Sequence, residues 1–220
     1  TKSDGIVRGV DIEWSANELI PILNKKGIIT SFGASFVSKF QRGFDPILNL
    51  PENVGSYALR SNLNFKGFSW TNEWAYKIND PSYDNGYIYR PGEAFISTLT
   101  YSKKGLGILA SIKRIDNMSF RSDRNAQQFD LFINFLPPTS EPHTYALPAL
   151  YPYATQVNGE IGGQFEISYM IPRGSPLGGK YGTRLNFNSA ISNSIDKSVL
   201  EDGPRGLKGT QGYISDYLNL

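Results

Sequence analysis

Bulky side chains change parity once inside the stretch GSYALRSNLNFKGFSWTNEWAYKI (55–78). Before Lys66-Gly67 they are odd-numbered: Tyr57, Leu59, Leu63 and Phe65. After it they are even-numbered: Phe68, Trp70, Trp74, Tyr76 and Ile78. Strand side chains alternate between two faces, and a two-residue turn always sets an odd position against an even one. The switch therefore predicts a β-hairpin in which Phe65 opposes Phe68, Leu63 opposes Trp70, Leu59 opposes Trp74 and Tyr57 opposes Tyr76. All eight share one face. The other face is polar, with Arg60 directly opposite Glu73. Lysine is not the residue a type I′ turn prefers at its first position, so a bulged turn is the rival geometry.

The same alternation recurs. Ile6, Val10, Ile12 and Trp14 oppose Asp11 and Glu13; Ile28, Phe32, Ala34, Phe36 and Phe40 oppose Ser31, Ser35 and Lys39. Phe95, Leu99 and Tyr101 continue across a Lys104-Gly105 turn into Leu106, Ile108, Ala110 and Ile112. Ile161, Phe165, Ile167, Tyr169 and Ile171, and then Tyr181, Leu185, Phe187 and Ile191, complete the pattern. Helical signal is confined to Ser15–Glu18, spaced as a capping box, which announces at most two turns through LIPIL before Lys25-Lys26-Gly27.

Lys-Gly stands before a strand at 26, 66 and 104, while the loops 41–54, 79–92, 116–159 and 192 onward are long. Short turns on one side and long loops on the other are the layout of outer-membrane barrels. The hairpin arms have the length of membrane-crossing strands, roughly 9–11 residues, and aromatics gather at both ends of the greasy face as interfacial girdles do. The expected fold is all-β: an antiparallel transmembrane β-barrel built as a meander of hairpins. Residues 1–220 form one segment of about eight strands from a larger barrel, with a long loop at 116–159. A soluble sandwich with one wet face fits the first hairpin alone, but it needs a second sheet that the pattern does not supply.

Composition narrows the function. Lys plus Arg is 22 and Asp plus Glu is 20, a balance without the basic runs that nucleic acid requires. With no cysteine, disulfide scaffolds and thiolate chemistry are excluded. No apolar run reaches the roughly 18 residues of a membrane helix. A mean hydropathy of −0.33 remains compatible with alternating barrel strands. The opening TKSDG lacks the basic-then-apolar pattern of an export signal, so an exported chain starting here is mature or partial.

Candidate chemistry is sparse. His143, the sole histidine, stands near Ser140 and Glu141 on a Pro-rich stretch without a nucleophile elbow, which reads as a solvated loop residue. Asp80, Asp84 and Asn85 offer oxygen ligands, but Asp-Asn-Gly is ordinary turn chemistry and the spacing is not that of an EF-hand. The Gly203, Gly206, Gly209 and Gly212 repeat is too short for a triple helix. PLGGKYG (176–182) lacks the spacing of a phosphate-binding loop. Arg60, Glu73, Lys77, Lys113, Glu166 and Arg184 are expected on the inward polar face, either lining a solute path or pairing to fill the lumen. No catalytic, cofactor-binding or metal-ligating residue is assigned, and no cofactor is expected.

Several stretches together resemble a family of uncharacterised outer-membrane β-barrels of Bacteroidota, a domain-of-unknown-function family. They are YSKKGLGILASIKRIDNMSFRSDRNA (101–126), HTYALPALYPYATQ (143–156), EIGGQFEISYMIPRGSPLGGKYGT (160–183) and GTQGYISDYLNL (209–220), with RGVDIEW near the start. The resemblance implies an outer-membrane location and a middle segment of a longer protein, and it carries over no functional residues. The expected function is non-enzymatic: a scaffold or accessory subunit of a larger outer-membrane machine, with a porin-like channel as the alternative. Expected partners are outer-membrane lipid and other outer-membrane proteins, not nucleic acid.

Overall fold

β-Branched and aromatic residues at every second position suit a pleated surface with one apolar face, and eight such segments pair in chain order. They are β1 (Ile6–Ser15), β2 (Ile28–Phe40), β3 (Asn53–Phe65), β4 (Phe68–Lys77), β5 (Gly92–Lys103), β6 (Leu106–Asp116), β7 (Glu160–Ile171) and β8 (Thr183–Asn193), each antiparallel to its neighbours. The computed structural model describes residues 5–43, 45–46, 48–127, 130–139, 153–199 and 213–215.

The β3–β4 register is the one read from parity: Phe65↔Phe68, Leu63↔Trp70, Arg60↔Glu73, Leu59↔Trp74 and Tyr57↔Tyr76. Lys66 (φ 46°) and Gly67 (φ 86°) are both left-handed, as a type I′ turn requires, so the turn is not bulged. Lys66 adopts this conformation with its Nζ 5.0 Å from the Phe65 ring centroid. At Gly67 a side chain is excluded twice, by φ and by the Ser102 carbonyl oxygen, 2.4 Å from where a Cβ would sit.

Two short helices, α1 (Ala16–Leu19) and α2 (Pro21–Lys25), join β1 to β2. The capping box expected at Ser15 does not form. Ser15 is still in the ladder, opposite Ser31, and Asn17 ties the connection instead: its amide nitrogen donates to Ile28 O (2.6 Å) and its oxygen accepts from Thr30 N (2.7 Å). The α1–α2 connection, Lys66-Gly67, Lys104-Gly105 and 172–182 all lie at one end of the strands; the long connections lie at the other.

The sheet is open. Among the described residues β1 and β8 each pair on one side only, so these strands form an open antiparallel meander that does not close on itself into a barrel. Beyond β8, in the stretch from 192 onward expected as a long loop, β9 (Lys197–Val199) pairs with β10 (Tyr213–Ser215) as a separate ribbon. The DYLNL end, the glycine repeat and His143 with Ser140 and Glu141 lie outside the described residues.

The two faces are covered in opposite fashion. On the apolar face Leu59 (56% exposed), Trp70 (47%), Leu99 (44%) and Phe187 (57%) are open, and no second layer of described residues packs on them. Across its middle runs one polar row, Ser61↔Asn72↔Ser97, with Asn72 Nδ2 donating to Ser61 Oγ (3.3 Å) and Trp70 Nε1 donating to Ser97 Oγ (3.0 Å). The buried core sits instead on the polar face, at the long-loop end. There Val54 and Ile115 are buried, as are Met118 and Phe120 from the loop after β6.

Candidate functional site

Three lysines at the loop ends of alternate strands, Lys39 (β2), Lys77 (β4) and Lys113 (β6), are almost wholly buried. Buried ammonium groups need partners, and the loops supply them. Asp80 takes two, with Lys39 Nζ at 2.8 Å and Lys77 Nζ at 3.4 Å, and Lys77 also donates to Ser119 O. Lys113 pairs with Glu160 at 2.7 Å and donates to Pro137 O (2.8 Å) and Thr155 Oγ1 (2.9 Å). Arg121 reaches Asp84 at 2.7 Å while lying 3.7 Å from the Phe132 ring centroid. Arg124 donates to Gln41 Oε1 and to Pro51 O. Together these contacts lay the loop segments 80–91, 116–127, 130–139 and 153–159 over the polar face. At the edge of this layer the Tyr153 hydroxyl sits 2.7 Å from Ser192 Oγ. Burial, followed by its hydrogen bond to Glu160, pushes its pKa up to about 12, even though 37% of the residue as a whole is exposed.

Beneath this layer lies a cavity of about 380 Å³. Its floor is the row Ala58↔Ala75↔Ala94 with Ile96 and Ile115, and its roof is Met118, Phe120 and the segment from Ile133 to Pro137. Glu73 is the one carboxylate on its wall, and among the described residues no hydrogen bond or ion pair engages it. Its register partner Arg60 turns away and bonds Asp11 Oδ1, which also accepts from Ser35 Oγ.

The six residues expected on the inward face thus separate. Lys77 and Lys113 are buried anchors of the loop layer. Arg60 is paired within the sheet and Glu73 looks into the cavity. Glu166 accepts from Asn188 Nδ2 (2.9 Å) and from Gln164, while Arg184 is exposed opposite Met170. Asp80 and Asp84, weighed as cation ligands, are taken by Lys39, Lys77 and Arg121, and no cluster of metal-binding side chains occurs among the described residues. The alanine row of the cavity floor escaped the sequence reading; small residues aligned across three strands were its only signal.

A family model, the family of unknown function DUF6029, matches residues 1–218. The chain belongs to that family. No curated protein matches it. Neither does any solved structure. The DUF6029 match spans the meander and the loop layer together, so the cavity between them is built wholly from residues of the family segment.

Proposed function

We propose that this chain is a non-enzymatic stretch of wall in a bacterial outer-membrane β-barrel, of Bacteroidota on the resemblance noted above. Its loop layer fills the lumen side. The observation that carries this reading is the inverted cover of the sheet: the apolar face is bare and the polar face is roofed. A soluble sandwich does the opposite, because burying the greasy face is what drives two sheets together. A contiguous bare apolar face marks a membrane or protein interaction surface, and lipid is the solvent that suits one running across the sheet from Leu59 to Phe187. The open edges β1 and β8 are then completed by further strands.

Within this reading the role is a scaffold or accessory subunit of a larger outer-membrane machine. The roof of loops and the internally paired lysines support a filled lumen over a conducting one. Recovery of the protein only with membranes, and its loss of solubility when detergent is withdrawn, are the expected results. Folded, monodisperse protein in detergent-free buffer would overturn the reading. Planar-bilayer recordings separate the two roles: a scaffold is silent, and steady conductance would assign a porin-like channel instead.

A further inference from the structure

We propose that the cavity beneath the loop layer is a binding site for a small molecule with an apolar body and a single cationic end, such as an arylalkyl ammonium, whose charge meets Glu73. This inference does not depend on where the protein resides.

The shape comes from the sheet. Three alanines in one row, Ala58, Ala75 and Ala94, keep the floor low where larger strand residues would meet the roof. Ile96, Ile115, Met118 and Phe120 make most of the remaining surface apolar, with Ser35, Ser56 and Asn134 as polar points on it. A volume of about 380 Å³ is within the size of small-ligand pockets, roughly 300–1,000 Å³.

The charge preference comes from which groups are already engaged. Lys113, the one cation on the cavity wall, is held by Glu160, Pro137 and Thr155. Arg60, the cation nearest Glu73 in register, is held by Asp11. Glu73 is left as an exposed carboxylate at the cavity. Its charge costs little while hydrated, and an ammonium arriving there gains a charge-assisted hydrogen bond. A carboxylate ligand would meet repulsion, and a neutral one would gain only apolar contact.

The test uses three ligands with one body: phenylbutylammonium, phenylbutanol and phenylbutyrate, titrated calorimetrically into the purified protein. The expected order is ammonium, then alcohol, then carboxylate, with roughly threefold to fivefold between the first two, as for an ion pair at an exposed carboxylate. Glu73→Gln, at an exposed position that leaves folding intact, should erase the gap between ammonium and alcohol while leaving alcohol binding unchanged. Ala94→Leu should abolish binding of all three, and Ala75→Val, a smaller intrusion, should weaken all three alike; thermal unfolding checks that each variant is folded. Equal affinities for the three ligands would overturn the proposal. So would an ammonium preference that survives Glu73→Gln, or no binding by any of them.

Discussion

Arg60 and Glu73 stand directly opposite each other on neighbouring strands, yet the Arg60 guanidinium crosses β2 to bond Asp11 on β1. Gly33 opens that route. It is the β2 register partner of Arg60, and a Cβ there would come within 2.8 Å of Arg60 Nε. A side chain at 33 should lift the guanidinium off β2 and return it to Glu73. Double-mutant cycles in urea should therefore find coupling between Arg60 and Asp11 but none between Arg60 and Glu73. In the Gly33→Val background the two results should exchange.

Asp80 compensates two buried lysines at once. Removing one member of a buried ion pair costs roughly 3–5 kcal/mol, because a charge is left without its partner. Asp80→Asn should destabilise the protein by an amount in that range. It should also free the loop that follows, which limited proteolysis between β4 and β5 would report.

Trp70 lies on the bare face, one row from its midpoint, and Thr71 lies on the other. If lipid covers the bare face, Trp70→Arg should cost roughly 2–4 kcal/mol near the bilayer midplane. Thr71→Arg should cost far less. Unfolding from lipid vesicles measures both, and equal costs would deny the bare face its lipid.

Asn72 is the centre of the polar row that crosses the apolar band. Its amide has a partner in Ser61 Oγ at 3.3 Å, a long bond for an apolar solvent. Asn72→Leu should raise stability in lipid by about 1 kcal/mol, since an imperfectly satisfied polar group is replaced by an apolar one. The same vesicle unfolding assay reads the change.

Tyr153 gives a pH dependence with a definite sign. Its pKa rises in the folded protein from 10.0 to about 12, so the neutral phenol is the form that folding favours. The associated stability is fully present below pH 10.0 and is lost as pH climbs toward about 12. Burial also raises Tyr87, so spectrophotometric titration should show more than one late tyrosinate, of which one is lost in Tyr153→Phe, and the variant's stability should fall less steeply over that interval.

The strand register was legible because it is local information: alternation and a two-residue turn leave one pairing for Leu63 and Trp70, and the sheet adopts it. The side on which turns and loops fall was legible for the same reason. Partnerships of charge were not. Lys77 and Lys113 read as lumen-lining because their strands place them on the polar face, whereas Asp80, Ser119, Pro137 and Thr155 come from loops with no period to follow. Ser15 misled as a cap because its backbone remains committed to the ladder. The cavity could not be foreseen without knowing that a roof crosses Ala58, Ala75 and Ala94.

The hairpins β3–β4 and β5–β6 close across two-residue turns, whereas the β6–β7 pairing and the ties of the loop layer span long separations, 45 residues for Ile115 to Glu160, 41 for Lys39 to Asp80 and 83 for Gln41 to Arg124. Loop-closure entropy and contact order put these two parts on different clocks. Hairpins zip on the order of 1–10 μs, one onto the next. The roof, like the pairing of β7 onto β6, must wait until distant segments meet. A chain arrested partway would therefore carry the β3–β4 hairpin with Glu73 in place and nothing yet above it.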